Sequence, residues 1–239
     1  MKYKENLEDY LSTYIEDPFA AENKRMLNAY VDRCVKYSSN KEKYLELGIG
    51  HGVVLNKLSE NFEHTLVIEG APSLVKEYSD AHPNVSVYET MFEEYEPLEK
   101  FNNIGMGFIL EHVDDPAQVL TQFRTFLSKQ GSIFVGVPSA SSLHRMLANR
   151  AGLLDDIRMM SETDFKFGHK RFFTFEDWIA LFSSLNFNIV RSEGLSLKPF
   201  STSQLESLNL KREVLLALDD IACKYPEMAN SLFFELKNE

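Results

Sequence analysis

Residues 44–52 read Tyr44-Leu45-Glu46-Leu47-Gly48-Ile49-Gly50-His51-Gly52, a short apolar run that ends in glycines at alternate positions. Val53, Val54, Leu55 and Leu58 follow at helical spacing. The order is strand, glycine-rich turn, helix, a unit that brings backbone close to a ligand and aims helix N–H groups at it. Glycine tolerates the backbone angles of a tight turn and carries no Cβ to obstruct the ligand.

Two ligand classes use such a turn. A dinucleotide site wants G-x-G-x-x-G, but here the third glycine comes one residue early, at Gly52, and Val53 stands where that motif needs glycine. Glu46 places a carboxylate at the strand end, which repels a pyrophosphate and suits a ligand carrying an ammonium group. Glu46-x-Gly48-x-Gly50-x-Gly52 resembles motif I of the class I S-adenosylmethionine-dependent methyltransferases. The resemblance implies a doubly wound α/β fold with a mostly parallel seven-stranded sheet, and S-adenosyl-L-methionine as cofactor.

Around that unit the chain is 239 residues long, enough for a substantial core, with 44% hydrophobic and 26% charged residues. A net charge of −11, from 36 acidic against 25 basic residues, argues against a nucleic-acid partner, because a phosphate backbone needs a basic surface. No apolar run reaches the length of a membrane span and the N-terminus has no apolar signal region, so the expected location is cytoplasmic. Cys34 and Cys223 stand apart, without metal or redox spacing. The expected organisation is one domain: a helical cap over 1–42, a cofactor-binding core over 43–138, and an acceptor-side half over 139–239 with a lid at about 150–172.

Leu7, Tyr10, Leu11, Tyr14 and Ile15 have helical spacing, Asp17-Pro18 breaks it, and a second helix is predicted from about Ala20 to Tyr37. In the family resembled, such a segment closes over the cofactor, which would let Tyr14 and Arg25 meet its carboxylate; the plainer reading is a surface helix with core aromatics. Thr65 to Ile68 is predicted as strand two, ending at Glu69, where a carboxylate can accept both ribose hydroxyls, with Gly70 against the adenine. Pro72 opens the next helix, Pro83-Asn84 closes it, and Val85 to Tyr88 is strand three. Met91 and Phe92 are expected to flank the adenine; the family often has an acid there, which this chain lacks before Glu93.

Asn103 to Leu110 is predicted as strand four, with Gly107 and Phe108 bordering the methionine part of the cofactor. Asp114-Asp115-Pro116 is a helix start, and Val119, Leu120, Phe123 and Leu127 make that helix amphipathic. Leu110-Glu111-His112-Val113-Asp114-Asp115-Pro116 resembles the motif after strand four in small-molecule methyltransferases. Gly131 to Pro138 is strand five, Thr174 to Asp177 resembles a capping box, Asn188 to Leu197 contains strand six, and helices fill about 202–224. Ser231 to Leu236 is the final strand, which the resemblance places antiparallel between strands five and six.

Methyl transfer from a sulfonium is a one-step displacement in which the protein chiefly positions the partners. An oxygen or nitrogen acceptor also needs its proton taken, for which His is suited by an unperturbed pKa of about 6.5. His112, just past strand four, and His144, after strand five, are the catalytic candidates, with a loop-shaping hydrogen bond the alternative for His112. Ile49 and His51 lie in the glycine loop beside the cofactor. Arg145, His169 and Arg171, with His144 and Lys170, form a cationic set in an acidic chain and are the candidates for binding an anionic acceptor such as a phosphorylated or nucleotide-linked sugar, a phosphonate or a carboxylate. No cluster with metal-ligand spacing is visible, and no metal is expected. The partner expected is a small molecule, with neither nucleic acid nor membrane, and with a homodimer as the assembly allowed. The competing readings are an NAD-dependent oxidoreductase on a Rossmann-type fold, opposed by Val53 and Glu46, and a non-catalytic binding module that keeps only the cofactor fold.

Overall fold

Side-chain alternation along the central strands sorts the core into two layers. The computed structural model describes Leu7, residues 20–82 and residues 85–238. Its strands are β1 (Lys43–Leu47), β2 (His64–Glu69), β3 (Val85–Glu89), β4 (Phe101–Gly107), β5 (Leu127–Pro138), β6 (Phe187–Ser196) and β7 (Ser231–Asn238). They form a seven-stranded sheet in the order β3-β2-β1-β4-β5-β7-β6. Neighbours from β3 to β5 pair in parallel, whereas β7 runs antiparallel to both β5 and β6, as the resemblance implied. Flanking helices are α1 (Ala20–Tyr37), α2 (Leu55–Asn61), α3 (Pro72–Ala81), α4 (Pro116–Arg124), α5 (Leu143–Arg150), α6 (Glu162–Lys166), α7 (Phe175–Ser184), α8 (Thr202–Ser207) and α9 (Arg212–Lys224). None of the described helices is long and apolar enough to cross a membrane.

On one face Leu45, Leu47, Ile104, Met106, Ile133 and Val135 pack with Val119, Leu120 and Phe123 of α4 and Trp178 and Phe182 of α7. The alternate positions Tyr44, Val67, Phe134 and Phe233 face Tyr30, Val31 and Cys34 of α1 and Leu55 and Leu58 of α2. This period of two is what a strand covered on both sides requires. Local signals set several boundaries. Asp115 caps α4 by accepting from Ala117 N at 2.9 Å and Gln118 N at 3.1 Å, and Thr174 and Asp177 form the capping box expected before α7.

Three boundaries differ from the sequence expectation. Strand four stops at Gly107, not Leu110, because Phe108 takes a left-handed φ of 58° and turns the chain out of the sheet. The helix after Asp115 ends at Arg124, so Leu127 begins β5 instead of continuing the helical stripe. β5 thereby starts before Gly131. The helix expected around Tyr10, Leu11, Tyr14 and Ile15, its break at Asp17-Pro18, and the stop at Pro83-Asn84 lie outside the described residues.

The α1 face of the sheet has a floor without side chains where the first helix crosses it. A Cβ on Gly105 would stand 1.9 Å from Glu46 Oε2 and 2.4 Å from the Tyr44 hydroxyl. One on Gly107 would stand 2.7 Å from the Tyr30 ring, and one on Gly136 2.9 Å from it. Glycine in a strand commonly marks such a close approach. Gly107→Ala and Gly136→Ala are each expected to cost roughly 1–3 kcal/mol of unfolding free energy by overpacking. Combining either with Tyr30→Leu should cost less than the sum of the single changes, measured by denaturant titration; strict additivity would show that the Tyr30 ring does not rest on these glycines.

Candidate functional site

A cavity of about 1130 Å³ opens at the carboxyl ends of β1, β2 and β4, the edge where open α/β sheets bind ligands. Gly48, Gly50 and Gly52 all take left-handed φ values, of 80°, 52° and 65°. They serve different ends. A Cβ on Gly50 would meet nothing within 4 Å, whereas one on Gly52 would stand 2.1 Å from the Tyr78 ring of α3. Gly48 and Gly50 line the cavity with Ile49, His51 and Glu69, and Gly52 instead lets the loop pack against α3.

Glu69 is 8% exposed, and its two oxygens accept from Ile49 N at 3.0 Å and Ala71 N at 2.8 Å. The carboxylate thus bridges the glycine loop and the start of α3, and each oxygen keeps lone-pair capacity towards the cavity. Beside it, Gly70 lies under Leu7 and Met91, whose atoms would be 2.6 and 2.9 Å from an added Cβ. Met91, Phe92 and Phe108 complete an apolar wall.

Glu46 also lines the cavity but is only 2% exposed. The Tyr30 hydroxyl is 3.4 Å from each of its oxygens, a long contact. Burial is the main reason its pKa rises to about 8, opposed by the nearby Tyr44 hydroxyl, the Gly107 backbone and Tyr30. Tyr30, which nothing in the sequence singled out, is itself buried, and desolvation first of all holds its hydroxyl well above the usual range. Arg25 does not reach this end of the cavity: it pairs with Asp219 at 3.3 Å and donates to Ser196 Oγ at 3.2 Å. The helix face that lines the cavity is Glu22, Asn23, Met26 and Leu27. Tyr14 lies outside the described residues.

At the other end, the loop after β4 meets the lid. Burial drags His112 down to about 3, and its ring is bonded to the backbone of Gly168 and Phe167, so it ties loop to lid. His144 is likewise lowered to about 3, by burial and then by Lys198 and Arg145. Neither keeps the ordinary imidazole basicity that made it a candidate base. Two neighbouring groups are shifted the other way. Glu111, 2% exposed, is raised to about 7 by burial, and His169 is raised by Asp164 and Glu111 against its own desolvation. The His112 and His169 rings meet edge to face at 4.8 Å between centroids.

The cationic set divides. Arg171 does not line the cavity; its guanidinium donates to the carbonyl oxygens of Leu110 at 2.7 Å, Val113, and Asp114 at 2.9 Å. Its planar fork is spent on holding the loop, which corrects its assignment to an acceptor. Arg145 lines the cavity, donates to the carbonyls of Ile157 and Met159, and stacks 4.5 Å over the Phe172 ring. His169 and Lys170 line the cavity too, Lys170 at 2.8 Å from Asp114. Lys198 at the end of β6, unnoticed in the sequence, adds a further cation, paired with Glu22 at 3.0 Å.

A family model described as a methyltransferase domain matches residues 19–192. Comparison with curated proteins finds no match. Among solved structures, the fold is similar to that of the plantazolicin methyltransferase BamL in complex with a triazolic desmethylPZN analog and SAH, at 17% identity, TM-score 0.61, over 97% of this chain and 91% of that one. It is also similar to the N-methyltransferase NodS of Bradyrhizobium japonicum WM9 with S-adenosyl-l-homocysteine, at 15% identity, TM-score 0.55, over 93% of this chain and 89% of that one. A complex of DhpI with SAH is similar at 12% identity, TM-score 0.60, over 98% and 97%. At these identities the likeness is one of fold.

Arg171→Ala should lower stability by roughly 1.5–3 kcal/mol, as a charged donor leaves the part-buried carbonyls of Leu110 and Val113 behind. Amide exchange across 110–116 should accelerate, and Arg171→Lys should not restore it. Unchanged exchange in that loop would mean that the fork is not what holds it.

Proposed function

The chain belongs to the methyltransferase-domain family, and we propose that it moves a methyl group to an oxygen, or alternatively a nitrogen, of a small anionic acceptor. It is an S-adenosyl-L-methionine-dependent methyltransferase. The observation that supports the finer reading is the cavity itself. One space of about 1130 Å³ runs from Gly48, Gly50 and Glu69 to His144, Arg145, Lys170 and Lys198, larger than most single-ligand pockets and so fit for cofactor and acceptor together. The likeness of Leu110 to Pro116 to small-molecule methyltransferases points the same way.

In this reading Glu69 takes the ribose hydroxyls, while Met91 and Phe92 sandwich the adenine near Gly70. Glu46 faces the ammonium of the methionine part, and Ile49 and Phe108 pack beside it. The cofactor supplies an activated methyl, and the chain's own residues orient the acceptor and exclude water. His144 is neutral at working pH, with an Nδ1 that has no hydrogen-bond partner, so it can accept from an acceptor hydroxyl and aim the oxygen. Arg145 lines the cavity against neutral carbonyls and a ring, which leave its charge uncancelled, whereas Lys170 and Lys198 each face a carboxylate; it is therefore the cation best placed for a phosphate or carboxylate. The lid over 150–172 encloses a small acceptor; with a net charge of −11, nucleic acid is disfavoured.

Incubation with S-adenosylmethionine and a panel of sugar phosphates, nucleotide sugars, phosphonates and carboxylates should release S-adenosylhomocysteine with an anionic acceptor. Arg145→Ala should raise the acceptor KM about 10-fold or more while leaving cofactor affinity unchanged. Turnover only with uncharged acceptors would sink the anionic assignment.

Glu46 links binding to pH. With its folded pKa raised from 4.5 to about 8, this carboxyl contributes stability that is fully present below about pH 4.5 and is lost as the pH rises towards 8. A bound ammonium favours the ionised form. S-adenosylhomocysteine binding at pH 7 should therefore release a proton and tighten between about pH 6 and 8, read by calorimetry in buffers of different ionisation enthalpy. Glu46→Gln should abolish the proton release, weaken binding and raise stability of the unliganded protein at pH 8. The same proton release in Glu46→Gln would place the titrating group elsewhere.

A further inference from the structure

We propose that Glu111, His112 and His169 form a binding site for a divalent transition-metal ion of the zinc class, with one side open to the acceptor end of the cavity. One ligand atom from each lies within 4.8 Å of the others, and all three residues line the cavity. Bringing such atoms to zinc–nitrogen and zinc–oxygen distances of about 2.0–2.2 Å asks each to move inward by about an ångström or less, within reach of side-chain torsions. Two imidazoles and one carboxylate are the protein ligand set of open zinc sites, in which the remaining position takes water or substrate. Magnesium and calcium prefer all-oxygen shells, so the nitrogen-rich set selects against them.

Two features distinguish the trio from a chance meeting of polar groups. Glu111 is 2% exposed, and its Oε2 is buried with no hydrogen-bond partner, an expensive state that a cation would relieve. The ligands also have outer supports of the kind metal sites need. Asp164 Oδ1 stands 3.2 Å from His169 Nδ1, a carboxylate that favours the tautomer leaving Nε2 for an ion, although the contact lacks full hydrogen-bond alignment. The His112 ring is held by the backbone of Gly168 and Phe167. Lys170 N donates to Glu111 O at 2.8 Å, and the Arg171 fork fixes the carbonyls of Leu110, Val113 and Asp114. Loop and lid are therefore locked together around the three side chains. An ion here would offer its open position to an anionic oxygen of the acceptor, which deepens the acceptor assignment above and rests on it only for that last step.

The test is calorimetric titration of Zn2+ into the chelator-treated full chain, repeated with Co2+ while visible absorption is recorded, with and without S-adenosylhomocysteine. One equivalent should bind, and Co2+ should acquire the absorption of a nitrogen-ligated, low-coordinate centre. His169→Ala and Glu111→Gln should each weaken binding by about 100-fold or more, and Asp164→Asn by about 10–100-fold. His64→Ala, on the exposed start of β2, should change nothing. No saturable binding, or one equivalent retained by all three site variants, overturns the site. His169→Ala decides the matter if Glu111→Gln fails to fold by circular dichroism, because His169 comes from the lid and not from the sheet. Normal S-adenosylhomocysteine binding with no ion bound would remove the metal site and leave the methyltransferase intact; loss of S-adenosylhomocysteine binding would count against the cofactor assignment instead.

Discussion

A carboxyl group buried at the tip of β1 is the constraint to which the rest of the molecule conforms. Glu46 is on the strand face that points towards α1, opposite Leu45 and Leu47, so it is carried beneath the first helix and out of water. A charged carboxylate there would be costly, and the protein responds by raising its pKa and by surrounding it with the hydroxyls of Tyr30 and Tyr44. Room for those groups comes from Gly105, Gly107 and Gly136, where any Cβ would crowd Tyr30, Tyr44 or Glu46. The first helix, the central strands and the cofactor end of the cavity are thus coupled through one oxygen-rich spot.

From that spot the cavity extends along the carboxyl edge of the sheet and acquires a different character. Near Glu69 and Gly70 its walls are apolar, supplied by Met91, Phe92 and Phe108. Past Phe108, whose left-handed backbone turns the chain outwards, it is built from a loop and a lid that hold one another. Lys170, Arg171 and His112 all join backbone or carboxylate groups across that seam. A segment with little secondary structure of its own gains order from these long-range polar contacts instead of from a local ladder.

The division of labour among the cations follows from where they fall on that seam. Arg145 and Arg171 both follow β5 in the chain, yet only Arg145 lines the cavity. An arginine fork satisfies several carbonyls at once, and a loop with exposed backbone acceptors claims it before a ligand can. Lys198 and Tyr30 escaped notice because an isolated Lys or a Tyr on an amphipathic helix has no local signature. Gly105-x-Gly107 in a strand was the available hint that something packs closely there.

By itself the sequence determined much of what depends on near neighbours, though not where strand four, the helix after Asp115 and β5 end or begin. The alternate glycines demanded a loop of left-handed residues, Asp115-Pro116 and Thr174 with Asp177 began helices, and apolar runs without alternation announced strands covered on both faces. The family followed from the same short motifs. Tertiary structure alone decided which polar groups meet: Arg25 with Asp219, Arg171 with Leu110, and His169 with Glu111 and His112. It also decided their basicity, since burial lowers His112 and His144 and raises Glu46 and Glu111. The reason is that backbone preferences act over a few residues, whereas desolvation and electrostatic pairing depend on what the fold brings in from elsewhere in the chain.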